Sequence, residues 1–105
     1  MESRQRERIE DMLQRLAAEF LSRESNRLSL ITVTGMRATE EMGKVIFLVS
    51  VYPEAREEEA LGFLMRQRGT LRDYIKENIR LRRIPHIEFE IDRGEKHRRT
   101  IEGII

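Results

Sequence analysis

Residues Lys44–Tyr52 read KVIFLVSVY, a nearly unbroken run of aliphatic, β-branched and aromatic residues. A run of that kind and length reads as a central β-strand buried on both faces. Pro53 ends it, because proline has no N–H to give to a ladder. Such a strand cannot stand alone: its edges need partner strands and its apolar side chains need cover. The remainder of a 105-residue chain must supply both. That length makes one domain over residues 1–105 with one modest core. Charged residues are 37% of the chain and hydrophobic residues 39%. The charged share exceeds the usual quarter, so the core must be built from few, well-placed aliphatic residues.

Two further segments have strand character. Residues 28–36 (LSLITVTGM) set Leu30, Thr32 and Thr34 against Ile31, Val33 and Gly35, a half-exposed strand. Residues 86–92 (HIEFEID) set Ile87, Phe89 and Ile91 against Glu88, Glu90 and Asp92, a strand with one buried face and one wet face. The helical segments show the other period. Ile9, Met12, Leu13, Leu16, Ala17, Phe20 and Leu21 form one apolar stripe that ends near residues 22–24. Residues 1–8 carry no apolar face and are expected to fray. Residues 56–78 carry two apolar faces, Ala60, Leu61, Leu64 and Met65 and then Leu71, Tyr74, Ile75, Asn78 and Ile79, with Gln67-Arg68-Gly69-Thr70 between them. This reads as two helices meeting at an angle near Gly69, with Thr70 as a candidate cap for the second. Arg93-Gly94 reads as a turn and residues 95–104 as a short terminal helix.

The order is thus α-β-β-α-kink-α-β with a short C-terminal helix, an α+β fold. A short polar turn at residues 38–43 makes the first two strands antiparallel. The long helical crossover makes the second and third parallel and right-handed. The result is a three-stranded mixed sheet with helices on one face.

The sequence contains no cysteine and two histidines, His86 and His97. Disulfides, thiolate metal sites and cysteine nucleophiles are excluded. No phosphate-binding glycine loop, nucleophile elbow or metalloprotease motif is present. Glu57-Glu58-Glu59 suits the start of a helix, where carboxylates favour the dipole. Glu88, Glu90 and Asp92 share a strand face, read as solvated rather than metal-binding. No catalytic residue, metal or cofactor is expected. No apolar run reaches the ~18–20 residues of a membrane span, and the opening MESRQRER lacks a signal-peptide core. A cytoplasmic monomer is the expectation.

Charge carries the functional signal. Net charge is +1, yet residues 66–83 hold seven basic and two acidic side chains, a local +5. The candidate RNA-binding residues are Arg66, Arg68, Gly69, Thr70, Arg72, Lys76, Arg80, Arg82 and Arg83. On a helix starting at Thr70, Arg72, Lys76 and Arg80 would form one stripe. A helix N-terminus at the break would offer backbone N–H groups to a phosphate, and Gly69 would permit its close approach. Intrahelical pairs, Asp73 with Lys76 and Glu77 with Arg80, would neutralise part of the patch. Few aromatics lie nearby, which favours recognition by shape and phosphate.

Three motifs in order carry a family resemblance. Leu81-Arg82-Arg83-Ile84-Pro85-His86-Ile87-Glu88-Phe89-Glu90-Ile91-Asp92 resembles the "LR..P.L.F..D" signature of bacterial ribosome-binding factor A. The strand Lys44–Tyr52 is similar to that family's "A-K-V-x-V-S-V" strand, and Gly69-Thr70-Leu71-Arg72 to its "G-x-I-R" step. The resemblance implies a type II KH-like RNA-binding domain in which an Ala-x-Gly kink replaces the GxxG loop. Here Gln67 stands at the alanine position. The resemblance also implies a non-enzymatic assembly factor. Such a factor binds the free 30S subunit and its 16S rRNA, assists late maturation including 5′-end rRNA processing, and leaves before translation. Cold adaptation is a theme of the family. Two alternatives stand beside it: a protein–protein interaction module using the N-terminal amphipathic helix, and a small metal-dependent hydrolase using Glu88, Glu90 and Asp92.

Overall fold

The computed structural model describes residues 3–24 and 30–94. Its elements are α1 (Ser3–Glu24), β1 (Leu30–Ala38), β2 (Lys44–Tyr52), a 3-10 turn (Glu54–Arg56), α2 (Glu57–Arg66), α3 (Arg68–Asn78) and β3 (His86–Ile91). The sheet order is β1-β2-β3, with β1 antiparallel and β3 parallel to the central β2. The expected α+β order and mixed sheet are therefore present. The short C-terminal helix expected at residues 95–104 lies outside the described residues. Arg93 and Gly94, read as a turn, are already helical.

The helices cover one face of the sheet. Val45, Phe47, Val49 and Val51 of β2 and Ile87, Phe89 and Ile91 of β3 join Leu13, Leu16, Ala17, Phe20 and Leu21 of α1, Ala60 and Leu64 of α2, and Leu71 and Ile75 of α3 in one core cluster. The alternate residues of β2 are less buried: Lys44, Ile46, Leu48 and Ser50 are intermediate. This corrects the expectation of a strand buried on both faces. Helices pack on one side only, so Ile46 and Leu48 are sheltered just by their sheet neighbours.

The first strand also differs from its sequence reading. It begins at Leu30 and runs through Ala38. Register with β2 slips between Val33 and Gly35, leaving Thr34 as an extra residue. A bulge of this kind shifts the inward–outward phase by one. Ile31 and Val33 before it, and Met36 and Ala38 after it, can then all pack against the core. Thr34 donates its hydroxyl to Asp92 Oδ2 at 2.6 Å, and its Oγ1 lies 3.3 Å from the Leu48 carbonyl oxygen.

Residues 3–8, expected to fray, continue α1. Arg6 explains why. Its guanidinium donates to the carbonyls of Ala38, Thr39 and Glu40, and its Nε to Glu10 Oε1 at 3.0 Å. The first turns of α1 are thus tied to the β1–β2 turn by polar contacts that an apolar count cannot see. Met12, read as part of the apolar stripe, is 37% exposed and lies at its margin.

Phe47 is fully buried on the core face, whereas Leu30 is 66% exposed on the open one. Phe47→Ala is expected to lower unfolding free energy by about 3–5 kcal/mol, and Leu30→Ala by less than about 0.5 kcal/mol. Urea titrations of the two variants check the assignment of the faces.

Candidate nucleic-acid interface

The helix break falls at Gln67, not Gly69. The Gln67 N–H reaches back to the carbonyls of Phe63 (3.1 Å) and Leu64 (3.0 Å), and its own carbonyl accepts from Leu71 N–H at 2.9 Å. That spends one donor which the sequence reading offered to a phosphate. Thr70 does not cap α3, which starts at Arg68 and has no side-chain cap. Gly69 sits exposed in its first turn. No described glycine has positive φ, and a Cβ added at Gly69 would meet nothing within 4 Å. Neither backbone conformation nor internal packing demands glycine there.

The stripe of Arg72, Lys76 and Arg80 is broken as well. α3 ends at Asn78, and Ile79 turns extended with φ −143° and ψ 154°. Arg80 therefore belongs to the connector of residues 79–85, together with Arg82 and Arg83. Asn78, expected on the apolar face, is exposed. The alternative pairing of Asp73 with Lys76 and of Glu77 with Arg80 is not among the ion pairs of the described residues. Among the described residues, the ion pairs found include none with Arg66, Lys76, Arg80, Arg82 or Arg83. All five are exposed.

Two candidates have other duties. Arg68 donates Nε to the Met65 carbonyl at 2.9 Å and lies 3.8 Å from Glu88 across the β3 edge. Arg72 donates Nε to the Pro85 carbonyl and Nη2 to the Ile84 carbonyl, each at 3.1 Å. Its acceptors are neutral, so its charge is not cancelled, but its geometry is committed to holding the connector against α3. On the other flank, Tyr74 packs at a tilt against Phe20 with ring centroids 5.7 Å apart and donates its hydroxyl to Glu19 Oε2. Arg23 lies over the Tyr74 ring at 5.4 Å. These contacts seat α3 on α1 and leave its outer side to Lys76.

The acidic residues of β3, and Asp92 just after it, are engaged with basic side chains or a hydroxyl. Glu90 pairs with Arg37, Glu88 with Lys44, Arg68 and His86, and Asp92 with Thr34. Among the described residues no group of three His, Asp or Glu is placed to hold a metal ion. His97 lies outside the described residues. The carboxyl of Glu88 is held below its ordinary pKa, chiefly by the hydrogen bond from His86 and then by the charge of Lys44.

One feature of the surface has almost no sequence signature. Ile9, Met42, Leu81 and Pro85, with Glu41, Arg82 and Arg83, line a cleft of about 420 Å³. Its walls come from α1, the β1–β2 turn and the connector, three segments far apart in the chain. Met42 was the one hint, an apolar residue inside a polar turn.

The chain matches the family of ribosome-binding factor A over residues 5–105. It belongs to the ribosome-binding factor A family. A family relative from Chromohalobacter salexigens is 28% identical over 109 residues, covering 99% of this chain and 83% of the relative. The crystal structure of ribosome-binding factor A from Thermus thermophilus superposes with a TM-score of 0.74 at 28% identity, over 83% of this chain and 94% of that one. A Thermus thermophilus ribosome-binding factor A homology model, fitted into a cryo-electron microscopy map of a 30S complex, gives a TM-score of 0.72 at 29% identity, over 82% of this chain and 93% of that one. The ribosome-binding factor A fold is thus kept at an identity where most residues differ. Among the described residues no helix is long and apolar enough to cross a membrane.

Two outcomes test the local assignments. Arg72→Ala leaves the Ile84 and Pro85 carbonyls without their donor and is expected to cost about 1 kcal/mol, with faster amide exchange confined to residues 79–86. Because the folded pKa of Glu88 is depressed, its contribution to stability is present above the ordinary glutamate range and is lost as pH falls through the lowered value. The stability gap between wild type and Glu88→Gln should therefore be constant near neutrality and shrink below about pH 4, read from melting temperature against pH.

Proposed function

We propose that this chain is a non-enzymatic, cytoplasmic assembly factor that binds the free 30S subunit through its 16S rRNA. It assists late small-subunit maturation, including processing of the rRNA 5′ end. The binding surface is the C-terminal end of α2, the outer side of α3 and the connector: Arg66, Gly69, Thr70, Lys76, Arg80, Arg82 and Arg83, with Arg68 and Arg72 supporting it. The observation that carries this reading is the unpaired state of the cations in a window of net +5. Five exposed cations without an ion pair form an electrostatic footprint for a polyanion. The 30S complex of the Thermus thermophilus relative supports the choice of polyanion. A monomer suffices, since the patch lies within one chain.

The physical mechanism is phosphate neutralisation. Each guanidinium or ammonium that reaches a phosphate releases condensed counterions, so affinity falls with salt. Arginine predominates in the patch, and its planar fork suits two phosphate oxygens at once. Arg6 and Arg72 fix the turn and the connector through main-chain carbonyls, so the cations of the connector are presented from a held backbone.

The interaction-module alternative loses its surface. Leu13, Leu16, Ala17, Phe20 and Leu21 of the amphipathic stripe are all within the core cluster, and burying them in a partner would require unfolding the domain.

Sedimentation with purified small subunits tests the proposal. With five phosphate contacts, log affinity against log salt should have a slope of about −4. Lys76→Glu, Arg82→Glu and Arg83→Glu together, with circular dichroism unchanged, should remove binding at about 100 mM salt. Undiminished co-sedimentation of that variant would refute the surface.

A further inference from the structure

We propose that the cleft between α1, the β1–β2 turn and the connector takes one unpaired nucleobase of the bound RNA. The inference rests on the RNA-binding reading above and names the ligand of one part of that surface. The cleft has an apolar floor of the partly buried Ile9, Met42 and Leu81, backed by Pro85. Arg82 and Arg83, both exposed and without ion pairs, stand at its rim. A flat apolar body with an anion at one end fits such a site, and a nucleotide splayed out of a single-stranded segment has that form. The cleft volume, about 420 Å³, falls in the range of small-ligand sites and is far too small for a duplex. Glu41, also in the lining, supplies a carboxylate that can accept from the imino and amino hydrogens of a base edge.

Two details of the chain point the same way. Met42 has φ 59°, a left-handed conformation that glycine and asparagine adopt readily and other residues adopt at a cost. A methionine held there puts an apolar, deformable thioether into the cleft wall, where a turn chosen for backbone comfort alone would place glycine. Gly43 follows, and the Arg83 guanidinium lies over it: a Cβ at Gly43 would come within 2.7 Å of Nη2. The absence of a side chain there lets Arg83 lie close against the turn at the rim. An acidic peptide with an apolar side chain is the rival occupant. The basic residues that continue from the rim along α3 favour the longer polyanion.

The probes are a labelled single-stranded hexaribonucleotide and a blunt RNA duplex containing the same strand, at about 50 mM salt. Wild type should bind the single strand about tenfold more tightly than the duplex, the contribution of one stacked base. In spectra of methyl-labelled methionine, the Met42 methyl should move upfield by ring current while those of Met36 and Met65 stay in place. Met42→Gly should abolish the preference and leave duplex binding unchanged, and Met42→Leu should keep the preference. Melting temperatures of both variants show that the domain is folded. If Met42→Gly binds the single strand as wild type does, while reversal of Lys76, Arg82 and Arg83 removes all RNA binding, the cleft proposal falls and the basic surface stands. If neither RNA binds, yet small subunits do and Met42→Gly weakens that binding, the occupant is a protein segment and both readings fall.

Discussion

Val45, Phe47, Val49 and Val51 present one continuous apolar face along β2, and each is at most 1% exposed. Every other element is placed by the need to cover that face. β1 and β3 satisfy the backbone of β2 on its two edges and extend the face sideways with Met36, Ile87, Phe89 and Ile91. The three helices close over it from one side. With a core of this size, each buried side chain is a large fraction of the net stability. The polar residues are left with the outer side of the helices and the open side of the sheet.

That division shows why much of the fold can be read from the chain. A largely apolar nine-residue segment, a clean alternation in residues 86–92 and a 3.6-residue stripe in α1 are all consequences of burial, and burial leaves a period in sequence. The bounds of β2 and the whole sheet order follow from them. The parts that were illegible have no period. The Thr34 bulge is a change of phase within one strand, visible only when β1 is laid against β2. Arg6 anchors α1 through the carbonyls of residues 38–40, and carbonyls are present at every position whatever the side chain.

The same distinction runs through the candidate site. The number and region of the basic residues are legible, because charge is a composition property. The helix break is misplaced by two residues, since glycine is the stronger breaker by propensity. Here the chain turns at Gln67, whose φ of −90° and ψ of 1° need no glycine. At its other end α3 stops at Asn78, which leaves Arg80 in the connector and dissolves the expected stripe. Sequence also could not separate Arg72 from Lys76. Both lie on α3, one helical turn apart, yet only Arg72 has a run of free carbonyls beside it at Ile84 and Pro85. The family resemblance set Gly69-Thr70-Leu71-Arg72 apart as a unit. The structure gives that unit a mixed character: Leu71 is core, Arg72 a brace, and Gly69 and Thr70 surface.

Charge economy then decides which surface can meet a polyanion. The open face of the sheet carries Arg37, Lys44 and His86, but Glu90 and Glu88 lie beside them and pair with them. Arg37 and Lys44 thus already have a carboxylate beside them, and exposed pairs of this kind leave little net field. On α3 and the connector the two available carboxylates, Asp73 and Glu77, make none of the observed ion pairs and are outnumbered by cations. A phosphate approaching the sheet would first have to displace a carboxylate. One approaching the connector would displace only water and counterions, which is the favourable exchange. The surface proposed for a polyanion is thus marked out less by where basic residues occur than by where acidic ones pair with the cations of the sheet.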